Sequence, residues 1–180
     1  MSDYERVRQH ARDELERIGG QIASGDNSEL LAWVVQSEIA GAHRPLRYDP
    51  MYGGRQSFSG DPRPRVEGWV DRVIAEGIRT VFCLATDGEL RRYDDLGFHP
   101  DGFLAYLRER GLEVRHLPLT DPAHLPLGES KGWKEVQLSQ VQRDAAALYE
   151  EAEKPVLVFC SGGADRTPPV VAYLVTASTG

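Results

Sequence analysis

Val156-Leu-Val-Phe-Cys160-Ser-Gly-Gly-Ala-Asp-Arg166-Thr-Pro-Pro-Val170 decides the reading of this chain. The apolar residues up to Phe159 make a short buried strand, Gly162 and Gly163 make a tight loop, and Thr167 opens a helix. Pro168 and Pro169 fit the first helical turn, where a missing N–H costs little. A cysteine opens the loop and an arginine closes it. That layout suits a phosphate, because loop N–H groups can turn inward as they do at nests and helix N-termini. A thiol in such a field ionises more readily. The planar fork of Arg166 can hold two phosphoryl oxygens.

Working outward, the segments before the loop alternate strand and helix. Val66, Trp69, Val70, Val73 and Ile74 share one helical face, with Gly77 as the stop. Residues 78–84 read as a buried strand, Pro100 to Arg110 as a helix ending at Gly111, and residues 112–119 as another strand. Residues 133–152 form a helix through Trp133, Val136, Val141, Ala145, Leu148 and Tyr149. Residues 155–159 are the strand that runs into Cys160. This alternation predicts an α/β fold with a largely parallel central sheet flanked by helices. Ligands of such sheets bind beyond the C-terminal strand ends, where both Cys160 and the loop after Leu119 fall.

The first 64 residues are less regular. Tyr4, Val7, Ala11, Leu15 and Ile18 predict a surface helix over 3–18, stopped by Gly19-Gly20. Residues 28–39 suit either a helix capped by Ser28 or a buried strand through Leu30-Leu-Ala-Trp-Val-Val35. Residues 40–64, rich in Gly, Pro and Arg, read as loop with room for one short strand. The whole is expected to be one domain over 1–180, with its catalytic core at 65–177.

Composition narrows the function. The 180 residues carry 28 acidic and 21 basic side chains, a formal charge of −7. That argues against a general nucleic-acid surface. No apolar run is long enough to span a bilayer, and the N-terminus lacks a signal-peptide core. Two cysteines, Cys83 and Cys160, make no secreted disulfide framework, so a cytoplasmic protein is expected. The histidines His10, His43, His99, His116 and His124 show no metal-ligand spacing. No metal or cofactor is called for, and oligomeric state has no signal.

A cysteine and an arginine at this spacing arise by chance in so arginine-rich a chain roughly two times in ten. Gly163 and Thr167 at fixed offsets lower that to roughly two in a thousand. The bland alternative is a buried, inert cysteine with Arg166 in a surface ion pair. The loop resembles the signature of the cysteine-dependent protein tyrosine and dual-specificity phosphatases, H-C-x2-G-x2-R-[ST]. Glu76-Gly-Ile-Arg-Thr-Val-Phe-Cys-Leu-Ala-Thr-Asp-Gly-Glu-Leu-Arg-Arg-Tyr93 and His116-Leu-Pro-Leu-Thr-Asp121 resemble the kinase-associated, cyclin-dependent-kinase-inhibitor-3-like members. The likeness covers roughly residues 65–177. Two positions depart from the pattern: Phe159 stands where relatives have the histidine that helps keep the nucleophile ionised, and Pro168 where many have glycine.

The resemblance implies a compact phosphatase fold and a phosphocysteine mechanism. Cys160 would attack phosphorus, and the N–H groups of Ser161, Gly162, Gly163, Ala164, Asp165 and Arg166 would hold the equatorial oxygens. Thr167 would donate to the sulfur. Asp121, after a strand and opening a proline-containing loop, is the expected general acid, with Glu129 as the fallback. Asp87, Asp94 and Asp95 follow an earlier strand and fit worse. Asp165 is read as an orienting partner of Arg166. Cys83 is a candidate redox partner for Cys160, as in some relatives, or else a small buried hydrophobe. Ala164, where lipid- and inositol-directed relatives often carry lysine, favours phosphotyrosine or phosphoserine/threonine proteins over a small phosphomonoester or inositol phosphate. A non-catalytic phosphate-binding module and a rhodanese-type sulfurtransferase are the competing classes. Relatives usually continue with further helices after the loop. Either the N-terminal helix covers that face of the sheet, or the chain is a shortened form.

Overall fold

The computed structural model describes residues 1–53, 60–98 and 101–178. Gly54 and Arg55 of the glycine-rich loop, His99, and Pro100 at the expected start of a helix lie outside the described residues.

In chain order the elements are α1 (Asp3–Ala23), β1 (Ala32–Val35), β2 (Ile39–Ala42), α2 (Arg63–Ala75), β3 (Thr80–Cys83), α3 (Asp87–Leu90), α4 (Phe103–Glu109), β4 (Glu113–His116), α5 (Ser130–Gly132), α6 (Ser139–Glu151), β5 (Val156–Phe159) and α7 (Thr167–Ser178). A 3-10 stretch, Arg91–Leu96, extends α3. A π-helical stretch, Trp133–Leu138, joins α5 to α6.

The strands form one sheet in the order β1-β2-β5-β3-β4. Only β1 runs antiparallel to its neighbour; β2, β5, β3 and β4 are parallel. β5 is therefore central, and it is buried along its whole length. A strand covered on both faces reads as a continuous apolar run, which Val156 to Phe159 is. One face is covered by α2 and α4, through Val66, Trp69, Val70, Phe103 and Leu107. The other face is covered by α6 and α7, through Val141, Ala145, Val170 and Leu174.

Within residues 28–39 the structure has a strand, Ala32–Val35, and a turn into β2, not a helix. The Ala32–Val35 part of the apolar run joins the sheet edge, where β-branched side chains pack well on a pleated surface. The glycine-rich stretch contributes β2, which pairs with β5. α1 differs from expectation in length: it runs through Gly19-Gly20 to Ala23. Gly19 is there for proximity rather than termination, since a Cβ on it would stand 3.0 Å from the Tyr48 ring and 3.1 Å from His43. α1 packs along α7 and against β1, burying Leu15 and Ile18. The final helix thus has the N-terminal helix as its cover.

Leu15 connects this packing to the phosphate loop. It is fully buried, and its methyl carbon lies 3.3 Å from where a Cβ would project on either Gly41 or Gly163. Leu15→Ala is expected to lower the unfolding free energy by about 2–5 kcal/mol, read from urea denaturation, with a midpoint shift and little change in slope.

Candidate active site

Parallel β5 delivers Cys160 to the C-terminal edge of the sheet, and α7 begins at Thr167. The loop between them is held from outside by its carbonyl groups. The Arg44 amide donates to the Ser161 carbonyl at 3.1 Å. The Gly162 carbonyl faces His43 Nδ1 at 2.8 Å and accepts from the Tyr48 hydroxyl at 3.3 Å. Among the described residues, the N–H groups of residues 161–166 donate to no protein acceptor. Gly163 has φ +74°, and a Cβ there would stand 2.9 Å from His43 Nδ1. Both the left-handed backbone and the close approach require glycine.

Cys160 and Arg166 are each only 1% exposed. The Thr167 hydroxyl donates to Cys160 Sγ at 3.1 Å. Arg166 makes a two-pronged pair with Glu89, 2.7 Å from each nitrogen to each carboxylate oxygen. It also donates to the Leu119 carbonyl at 2.9 Å and approaches Asp121 Oδ2 at 3.4 Å. Burial pulls the Arg166 pKa down, but the Glu89 hydrogen bonds and the nearby Cys160 and Asp121 charges outweigh it and hold it above its ordinary value. Burial alone would raise Glu89; the Arg166 hydrogen bonds and the Thr86 amide reverse this and bring it down to about 2.

Glu89 was not among the residues singled out from the sequence. It is placed by a capping box at α3: the Thr86 hydroxyl accepts from the Glu89 amide at 3.3 Å, and Glu89 Oε2 accepts from the Thr86 amide at 2.9 Å. The signal was present as Thr86-Asp-Gly-Glu89 directly after a strand, a helix-start pattern. What the pattern could not say is that the capping carboxylate also grips Arg166.

Asp121 caps the short 3-10 turn Pro122–His124, accepting from the Ala123 amide at 2.9 Å through one oxygen, with the other toward Arg166. The segment before it is anchored where Trp133 Nε1 donates to the Thr120 carbonyl at 2.8 Å. Glu129 is exposed and makes no hydrogen bond or ion pair with the loop among the described residues. Asp165 is exposed too, so the partner that orients Arg166 is Glu89 and not Asp165.

Phe159, in place of the histidine, is fully buried and packs edge-on against Trp69, with ring centroids 5.6 Å apart. The histidine that does touch the loop is His43, at the end of β2. Its Nδ1 faces the Gly162 carbonyl and its Nε2 faces the Leu15 carbonyl at 2.6 Å. A neutral imidazole has one N–H and satisfies one of these; only the cation satisfies both. Burial pushes the His43 pKa down against the two carbonyl contacts, which push it up.

Cys83 lies on the neighbouring strand, in register with Phe159. Its side chain belongs to the core under α2 and α4, whereas Cys160 belongs to the core on the other face. Both thiols are free, and burial pushes Cys83 up to about 12. Among the described residues no group of His, Cys, Asp and Glu is placed to hold a metal ion, and no helix is long and apolar enough to cross a membrane.

No protein-family model matches the chain, and no curated protein matches it in sequence. Among solved structures it is similar to the kinase associated phosphatase, crystallised with its catalytic-site cysteine replaced by serine. The TM-score is 0.49 and the identity 16%, over 77% of this chain and 65% of that one. The chain thus spans just under two thirds of that protein's length.

The Glu89 pair ties stability to pH with a definite sign. Its folded pKa lies below the ordinary carboxylate value, so its contribution is complete above about pH 4.5 and fades as pH falls toward about 2. Urea midpoints are expected to follow that course in the wild type, and Glu89→Gln is expected to flatten it. Glu89→Ala, which leaves the buried guanidinium only the longer Asp121 contact, is expected to cost about 3–5 kcal/mol in the same titration.

Proposed function

We propose that this protein is a phosphomonoester hydrolase that works through a phosphocysteine intermediate. The observation that carries the reading is the convergence of Cys160 Sγ, its Thr167 hydroxyl donor, the buried Arg166 fork and a loop of uncommitted N–H groups at one strand end. Phosphoryl transfer asks for positioning and charge stabilisation, which is what such a cradle supplies.

In this mechanism Cys160 attacks phosphorus, an S–P bond forms and the P–O bond to the leaving group breaks. Asp121 gives its proton to the departing oxygen. Water then attacks the phosphocysteine, Asp121 takes the water proton, and the S–P bond breaks to release inorganic phosphate. The loop N–H groups of Ser161 to Arg166 hold the equatorial oxygens throughout, with Arg166 opposite. Glu89 keeps the Arg166 fork in one plane, so little entropy is lost when the phosphate arrives. Thr167 donates to sulfur and stabilises it as a leaving group in the second step. Trp133 positions the acid loop through the Thr120 carbonyl. His43 takes the place of the missing histidine as the ring that braces the loop backbone, from behind Gly162 instead of from residue 159. The resemblance points to phosphoproteins or small phosphate esters as substrates, and the loop, with Ala164 and no lysine, provides for a single phosphate.

Wild-type protein is expected to hydrolyse p-nitrophenyl phosphate, and Cys160→Ser to lose that activity to background. Residual turnover in Cys160→Ser would overturn the mechanism; binding of phosphate with no turnover in the wild type would make the site a binding module. For Asp121→Asn, kcat is expected to fall by about 10²–10⁴-fold on alkyl phosphates and far less on aryl phosphates with good leaving groups, as measured by steady-state kinetics across a leaving-group series. A uniform loss would assign the proton to another residue.

A further inference from the structure

Arg44 and Arg47 lie at the Ser161–Gly162 side of the loop without an acidic partner, and Arg92 lies beside Glu89. Arg44 is buried and held only by neutral groups: Nε donates to Ser161 Oγ at 3.1 Å, and Nη1 to the Pro45 carbonyl at 3.1 Å and the Tyr93 hydroxyl at 3.5 Å. The guanidinium of Arg47 lies over the Tyr48 ring, 4.8 Å from its centroid, with Nε 3.6 Å from where a Cβ would project on Gly162. Arg92 comes from the 3-10 stretch after α3 and donates to the Glu89 carbonyl at 2.7 Å. Its neighbour Tyr93 reaches the Pro45 carbonyl at 2.7 Å, which ties that stretch to the Arg44–Arg47 turn. Burial lowers the Arg92 pKa, and the charges of Arg44 and Arg47 lower it further.

Among the described residues, none of these three guanidinium groups has a carboxylate within ion-pair distance. Two of the acids nearby are committed elsewhere: Glu89 grips Arg166, and Asp49 pairs with Arg65. Asp95, on the same cavity wall as Arg92, makes no ion pair among the described residues. In a chain of net charge −7, a cluster of like charges against a buried loop is costly unless an anion answers it. A phosphate in the loop would be met by Arg166 and the N–H groups. The cluster therefore addresses a second anion beside the first.

We propose that Arg47 and Arg92, backed by Arg44, form a second phosphate subsite next to the Cys160 loop, and that the substrate is a small molecule with phosphates on adjacent carbons. This rests on the phosphatase reading above and narrows it. A compact polyol bisphosphate keeps its two phosphates side by side. In an extended peptide, neighbouring side chains leave opposite faces, and residues two apart stand about 7 Å from each other. A doubly phosphorylated peptide thus holds its two charges farther apart than a compact bisphosphate does, and Arg44 and Arg47 lie directly against Ser161 and Gly162.

The test is calorimetric binding to the Cys160→Ser protein, with 2,3-bisphosphoglycerate, 3-phosphoglycerate and a peptide phosphorylated at two neighbouring serines as probes. The bisphosphate is expected to bind at least about tenfold tighter than the monophosphate, and the preference is expected to shrink to about twofold or less in Arg47→Gln and in Arg92→Gln. Both positions are partly exposed, and an unchanged thermal midpoint verifies folding. Equal affinity for the two glycerates, a preference that survives both substitutions, or a larger gain from the peptide would each overturn the subsite. Binding in Cys160→Ser does not depend on turnover, so failure here is distinct from failure of wild type to hydrolyse p-nitrophenyl phosphate.

Discussion

A guanidinium buried beside a thiol has to be answered by a carboxylate, and Glu89 supplies it. Taking Arg166 out of water costs several kcal/mol unless its donors are filled. Glu89 takes both nitrogens of the fork and the Leu119 carbonyl takes a third bond. Three separate segments are thereby drawn together: the β5–α7 loop, the start of α3 and the chain after β4. Each leaves the same C-terminal edge of the parallel sheet, which is why one arginine can reach them all. The pair holds Arg166 in the orientation that a phosphate would meet, at the cost of making loop geometry sensitive to the ionisation of one carboxylate.

The loop is braced on its other side by the N-terminal third of the chain. His43 joins the Gly162 carbonyl to the Leu15 carbonyl of α1, Tyr48 shares the Gly162 carbonyl, and Trp69 Nε1 donates to the His43 carbonyl at 3.2 Å. The residues least regular in sequence are therefore structural supports of the proposed chemistry. Phe159 makes sense in that setting. With Trp69 packed against it, position 159 serves the core, and the polar contact to the loop backbone comes from β2 instead.

The alternating strands and helices were legible in residues 65–170 because each face there has a regular apolar period: Val66, Trp69, Val70 and Val73 on α2, and Val156 to Phe159 without interruption on β5. The helix stop assigned to Gly19-Gly20 did not occur, because a glycine chosen for contact with Tyr48 and His43 looks, in sequence, like one chosen to end a helix. The short α3 has no legible period because a single turn has too few residues to show one, although its capping box is readable. The π-helical stretch at Trp133–Leu138 likewise shifts only the phase of an apolar pattern that otherwise reads as one helix.

Cys160, Arg166, Thr167 and Asp121, the residues of the proposed site, lie together in the structure, and the sequence could point to them because their spacing is local or follows a strand end. The α/β class followed from the same local periodicity. Glu89 as the partner of Arg166, His43 as the brace, the opposite faces of Cys83 and Cys160, and the Arg44–Arg47–Arg92 cluster were decided only by the tertiary structure. Each joins residues from separate segments, and such contacts depend on strand order and register. Strand order in a parallel sheet is set by how helices pack on its two faces, a property of the whole chain that no single stretch of sequence carries.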